Sequence, residues 1–133
     1  MPERRVVIDH LTIGVSDLSR SREFYRRALA PLGIEEQGAW SDESREVAFG
    51  PPRYDDFAIS DQYEPGGRLH IAFAADSEEE VQAFHAAALE AGGRDNGGPG
   101  PRPEYSERYF GAFVLDPDGH NVEAVFHADE PYG

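Results

Sequence analysis

The chain repeats itself at an interval of 60 residues, and this repeat limits the folds open to it. Asp9-His10-Leu11-Thr12-Ile13-Gly14-Val15 lies over Leu69-His70-Ile71-Ala72-Phe73-Ala74-Ala75. Carried on without gaps, the offset matches Phe24 with Phe84, Ala28 with Ala88, Leu29 with Leu89 and Gly33 with Gly93. The matched positions are a strand histidine, the apolar face of the helix that follows, and the glycine that ends it. Such repetition marks one supersecondary unit used twice. Two copies related by a pseudo-two-fold axis place His10 and His70 equivalently, and an axis passing near them brings the imidazoles together.

Each unit starts with a strand, residues 6–15 and 68–75, apolar and β-compatible. Asp17 is the N-cap of the first helix, whose buried face is Leu18, Phe24, Tyr25, Ala28, Leu29 and Leu32. Its arginines, Arg20, Arg22, Arg26 and Arg27, read as a solvated face. Pro31 and Gly33 end it, and a strand begins at Ile34. Ser77-Glu78-Glu79-Glu80 is a capping box for the second helix, which buries Val81, Phe84, Ala88 and Leu89 and stops at Gly92-Gly93. Further strands are expected at residues 46–50, 55–60, 107–115 and 121–127. Asn96-Gly97-Gly98-Pro99-Gly100-Pro101-Arg102-Pro103 reads as a loop, and Asp116-Pro117-Asp118-Gly119 as a turn. Asp55-Asp56 resembles an acidic pair, but neighbouring strand residues face opposite ways. The expectation is one domain over residues 1–133, with modules at 1–64 and 68–129.

A formal net charge of −14 disfavours nucleic acid and anionic membrane surfaces as partners. With no cysteine, disulfides and thiolate chemistry are excluded, and with no lysine so are Schiff bases. No run is long enough to span a bilayer, and Met1-Pro2-Glu3-Arg4-Arg5 is unlike a secretory signal, so a cytoplasmic location is expected.

A histidine inside a buried strand needs partners for its nitrogens. For His70 alone, backbone or a tyrosine would serve. In the last strand Glu123 shares a face with Asn121 and Val125 and stands in an otherwise apolar run. A buried carboxylate without a partner takes up a proton. Glu123 therefore pairs with an arginine such as Arg108 or with a cation. Two strand histidines and one strand carboxylate form a 2-His-1-carboxylate set, which holds a divalent ion and leaves positions for water and substrate.

The double βαβββ pattern carries I-D-H in its first strand and S-D-L-S-R-S-R-E-F-Y in its first helix. It ends in Y-F-G-A-F-V-L-D-P-D-G-H-N-V-E-A. With these motifs the chain resembles the vicinal oxygen chelate superfamily, which includes glyoxalases, bleomycin-resistance proteins and extradiol dioxygenases. The resemblance spans nearly the whole chain. It implies an α+β fold of two curved mixed sheets around a cleft with helices outside, and commonly a homodimer. It places the metal ligands at His10, His70 and Glu123, for Fe, Mn, Ni, Zn or Mg. A fourth ligand common in the family, a glutamate or glutamine on the fourth strand, has no counterpart in Phe57-Ala58-Ile59-Ser60.

The activity implied is a lyase, isomerase or ring-cleaving dioxygenase acting on a small substrate that chelates the ion through adjacent oxygens. Tyr109 and His120 are candidates for moving a proton, Arg108 for holding an anionic group, and Tyr105 for lining the pocket. The alternative is a non-catalytic binder of a drug or metabolite.

Overall fold

A computed structural model describes residues 4–67 and 69–132. Arg68, where the second copy was expected to start, lies outside the described residues. Two helices and two four-stranded mixed sheets make an α+β fold. The elements are β1 (Leu11–Gly14), α1 (Leu18–Leu29), β2 (Glu35–Gln37), β3 (Glu46–Gly50), β4 (Phe57–Ser60), β5 (His70–Ala74), α2 (Glu78–Glu90), β6 (Arg94–Pro101), β7 (Tyr109–Leu115) and β8 (Asn121–His127). The strand orders are β1-β4-β3-β2 and β5-β8-β7-β6. In each sheet the first strand runs parallel to the last and lies on an open edge.

The first strand is shorter than its apolar run. Its partner β4 starts only at Phe57, after a turn in which Tyr54 N–H donates to Pro51 and Arg53 takes φ 78°. Residues 4–10 therefore have no ladder, and Val6, Val7 and Ile8 stay exposed. A strand reaches only as far as its neighbour does.

Both helix starts follow the sequence reading. The Asp17 carboxylate accepts the N–H of Arg20, and Ser77 Oγ accepts that of Glu80. Glu80 returns to the N–H of Asp76, one residue before the expected place. At the far end of α1, Pro31 falls in a 3-10 turn closed by Gly33 at φ 73°. Two helix expectations need amending. Leu89 is exposed whereas its counterpart Leu29 is fully buried. Arg22 binds Glu36 and lies over Trp40 at 4.4 Å, so it is not simply solvated.

The stretch expected as a loop after α2 is instead the edge strand β6. It pairs with β7 through two register shifts, at 95/97 and 97/100. Pro99 and Pro101 lack an N–H, which an outer strand tolerates. Gly97, at φ +145°, has a backbone conformation that side chains disfavour, and Phe113 lies 3.1 Å from where its Cβ would be.

One core serves both repeats. Phe57 and Phe73 meet edge-on at 5.1 Å. Phe24 from the first repeat and Val114 from the second both close on Gly93, leaving no room for a Cβ. The Asp116–His120 turn ties the halves together. Asp116 accepts the backbone N–H of Asp118 and of His120, both at 2.9 Å, and the Tyr25 hydroxyl. Asp118 accepts both the N–H and the hydroxyl of Ser16. The buried His120 ring lies between Leu69 N–H and the Gly14 carbonyl, 3.4 Å from each. Nδ1 accepts from Leu69, so Nε2–H donates to Gly14.

Candidate active site on the second sheet

Alternation along β8 sends Val122, Ala124 and Phe126 toward the helices and Asn121, Glu123 and Val125 to the opposite face. Parallel pairing with β5 aligns His70 with Asn121 and Ala72 with Glu123. Antiparallel pairing with β7 sets Phe113 opposite Glu123 and Tyr109 opposite His127. Period-two geometry thus gathers His70, Glu123, Phe113 and Tyr109 on one face.

Glu123 is 0% exposed, yet both its oxygens have partners. His70 Nε2 lies 2.7 Å from Oε1, and the Tyr109 hydroxyl donates to Oε2. Two donors, one on each oxygen, replace the water that burial removes. Arg108 is not among them; its Nε donates to the Asp129 carbonyl. Gly111 makes the contact possible, since a Cβ there would come within 3.0 Å of Glu123 Oε2 and 3.1 Å of Tyr109 Cε1. Tyr105 and His127 meet the Tyr109 ring edge-on at 5.0 and 5.3 Å. Burial, followed by the hydrogen bond and the charge of Glu123, pushes the Tyr109 phenol well above its ordinary pKa, so it stays protonated.

The first repeat is arranged differently. His10 precedes β1, with a side chain 62% exposed, and its Nδ1 binds Asp9 Oδ1 at 2.8 Å. This bond comes first, followed by the charges of Asp9, Asp55 and Glu46, in holding the imidazole above its ordinary pKa. With Nδ1–H on a carboxylate, Nε2 is left as the outward nitrogen, an arrangement common among histidines that bind metals.

The structure thus joins His70, Glu123 and Tyr109 and leaves His10, Arg108 and His120 outside that cluster. Among the described residues no three His, Asp or Glu side chains gather closely enough to hold an ion. Of the three residues expected as metal ligands, one chain brings together only His70 and Glu123, whose facing atoms are joined by a hydrogen bond. The register also locates the fourth-strand position at which the resemblance implies a further ligand: Thr12 faces Ala58 in the first sheet as Ala72 faces Glu123 in the second. The carboxylate position of the first repeat is filled by a methyl group.

A large apolar cavity, about 470 Å³, lies elsewhere. It is lined mainly by apolar residues, among them Leu11, Phe49, Phe57, Ile71 and Phe73, and by none of the candidate site residues. A smaller one, about 260 Å³, adjoins the cluster, with Arg102, Tyr105, Phe113 and Asn121 in its wall. The sequence reading includes Tyr105 but misses Phe113 and Arg102. Alternation along β7 would have found Phe113, which shares its face with Tyr109; Arg102 falls inside the segment read as a loop.

Residues 7–124 match the family model described as Glyoxalase/Bleomycin resistance protein/Dioxygenase superfamily. Among solved structures, a glyoxalase/bleomycin resistance protein from Albidiferax ferrireducens T118 is 30% identical, with TM-score 0.76, over 90% of this chain and 98% of that one. A family enzyme from Burkholderia phytofirmans PsJN is 15% identical, with TM-score 0.69, over 92% of this chain and 100% of that one. A lactoylglutathione lyase from Agrobacterium tumefaciens is 18% identical, with TM-score 0.67, over 92% and 95% respectively. The last two share the fold at identities too low to carry activity across. No curated protein matches the sequence.

Proposed function

Because the chain belongs to the glyoxalase/bleomycin resistance protein/dioxygenase superfamily, we propose that it is a divalent-metal-dependent enzyme. Its substrate would be a small molecule presenting adjacent oxygens, and its chemistry that of a lyase, isomerase or ring-cleaving dioxygenase. The observation that carries this reading is the buried Glu123 carboxylate with His70 and Tyr109 on its two oxygens. A fully buried carboxylate is costly to keep without a use, and functional sites are where such groups collect.

His70 and Glu123 would hold the ion, with His10 of a second copy completing the set. Three features support sharing between copies. His10 stands at an open sheet edge beside exposed Val6, Val7, Ile8 and Leu11. Its Nε2 faces away from Asp9. The edge strand β5, which carries His70, is likewise uncovered by another strand. Homodimers in this arrangement would bury edges and apolar side chains that one chain leaves in water.

When bound, the ion would polarise substrate oxygens. Tyr109, whose hydroxyl lies on Glu123 Oε2, would be the catalytic group that donates a hydrogen bond to charge developing on a substrate oxygen. Phe113 and the Tyr109 ring would keep water from the Glu123 carboxylate. His120 would act by position, since its ring fixes the Leu69 N–H immediately before His70.

The test is metal content after purification without chelator or histidine tag. The variants His10→Ala and Glu123→Ala should each lose most of the ion. Mixing the two variants should recover part of it, because a mixed dimer contains one intact set. Unchanged metal in both single variants would sink the assignment. A second reading, a binder without turnover, is favoured by the separation of His10 from the cluster within one chain. It would show itself as ligand binding that survives chelation, with no product formed.

A further inference from the structure

Arg102 is held more firmly than a rim arginine needs to be. Its Nη1 donates to the carbonyls of Gly100 at 3.0 Å and Pro101 at 3.3 Å, and its Nη2 to that of Gly98 at 2.7 Å. The guanidinium carbon lies 5.3 Å from the centre of the Phe113 ring. Gly97 and Gly100 stand so close that a Cβ on either would come within 3.3 Å of a guanidinium nitrogen. The bulged, glycine-rich strand β6 is thus wrapped around one cation. That accounts for a run of glycines in an edge strand that propensity alone disfavours.

Three acceptors leave donors over. A guanidinium has five N–H groups, and the Nε–H of Arg102 has no acceptor among the described residues. The group lies in the wall of the cavity of about 260 Å³, together with Asn96, Asn121, Tyr105, Phe113 and Glu104, and among the described residues it is the only cation in that wall. The cavity joins the candidate site through shared walls. Phe113 lies 6.1 Å from the His70 ring, Tyr105 touches Tyr109, and Asn121 pairs with His70 in the sheet.

We propose that this cavity is the acid-binding half of the substrate pocket, and that Arg102 receives the carboxylate of a small planar acid whose other end faces His70, Glu123 and Tyr109. The placement of that other end rests on the function proposed above; the carboxylate site does not. A fixed, planar guanidinium suits a planar carboxylate. The aromatic walls suit a flat body. Glu104 at the same cavity disfavours a doubly charged phosphate relative to a singly charged acid. In a chain of net charge −14, a lone fixed cation at a cavity also selects strongly for where an anion can settle.

The test uses the full chain stripped with chelator, so that it does not depend on any metal. Benzoate, benzamide and phenyl phosphate are titrated while backbone amide signals are followed by NMR. Benzoate should move the amides of Gly98, Tyr105 and Asn121 and bind roughly tenfold or more tightly than benzamide. Phenyl phosphate should bind more weakly than benzoate, and Glu104→Gln should narrow that gap. Arg102→Gln should abolish the preference for benzoate over benzamide. Arg102→Lys retains a charge but loses the fork; if Arg102→Gln fails to fold, a roughly tenfold loss of benzoate affinity in Arg102→Lys serves instead. Equal binding of benzoate and benzamide, benzoate shifts that avoid this cavity, or unchanged benzoate affinity in the arginine variants would overturn the proposal. Failure of the metal site appears separately, as metal content that ignores His10→Ala and Glu123→Ala.

Discussion

Glu123 and Ala58 occupy the same place in the two repeats. Each sits on the strand parallel to the first strand of its sheet, Glu123 opposite Ala72 and Ala58 opposite Thr12. The two repeats share a backbone and a histidine at matched positions in the sequence, but only the second carries the acid. Ala58→Glu would restore symmetry at a position 6% exposed, where the hydroxyl of the facing Thr12 can serve one carboxylate oxygen and leaves the other without a donor. The expected outcome is a loss of about 1–3 kcal/mol in urea unfolding, the cost of a buried polar group without a partner. If the variant is as stable as the parent, a second donor must reach position 58 from somewhere.

Gly111→Ala tests the contact between Tyr109 and Glu123. The added methyl would meet Glu123 Oε2 at 3.0 Å and the Tyr109 ring at 3.1 Å, so the phenol must give way. Spectrophotometric titration should then show a tyrosine returning toward the ordinary value of about 10. A titration curve identical to the parent's would mean that the ring does not rest on Gly111.

Alkaline pH should weaken the fold. Burial first, then the charge of Asp116, raises the Tyr25 phenol well above its ordinary pKa, and Tyr109 is raised as well. A group whose pKa is raised by folding gives stability that is complete below its unfolded value and declines as pH climbs toward the folded one. Loss should therefore begin near pH 10, about where free tyrosine titrates, and continue above it. Tyr109→Phe should flatten that decline in a series of thermal melts, whereas an unaltered slope would assign it to other groups.

His120→Ala should cost about 2–4 kcal/mol, because it opens a buried space and strands Leu69 N–H and the Gly14 carbonyl. Metal content should fall far less than in His10→Ala or Glu123→Ala, since the ring only positions the strand before His70 and lies outside the His70–Glu123 cluster. Metal lost while stability holds would instead move His120 into the site.

Much of this could be read from the sequence, because the repeat exposes its own parts. Asp17 and Ser77 announce the helices, and the strand histidines and Glu123 stand out against apolar neighbours. Alternation along β8 sent Glu123 to the face it occupies. What stayed hidden depends on contacts distant in sequence. Nothing near His10 says that the turn at residues 51–56 would leave it without a sheet partner. Leu89 matches Leu29 in sequence, yet it faces water. β6 was misread because its glycines answer to Arg102 rather than to strand propensity. His120 resembles a proton carrier until the Gly14 carbonyl is seen beside it.

Among the described residues, the tyrosine in the first helix finds its only hydrogen-bond acceptor in the turn before the last strand. Cutting the chain in the segment between the repeats would leave that phenol buried with nothing to bond, and would open Phe24 to water where Gly93 and Val114 had covered it. Neither half is a part to be lifted out and grafted elsewhere; each needs the other to meet these demands.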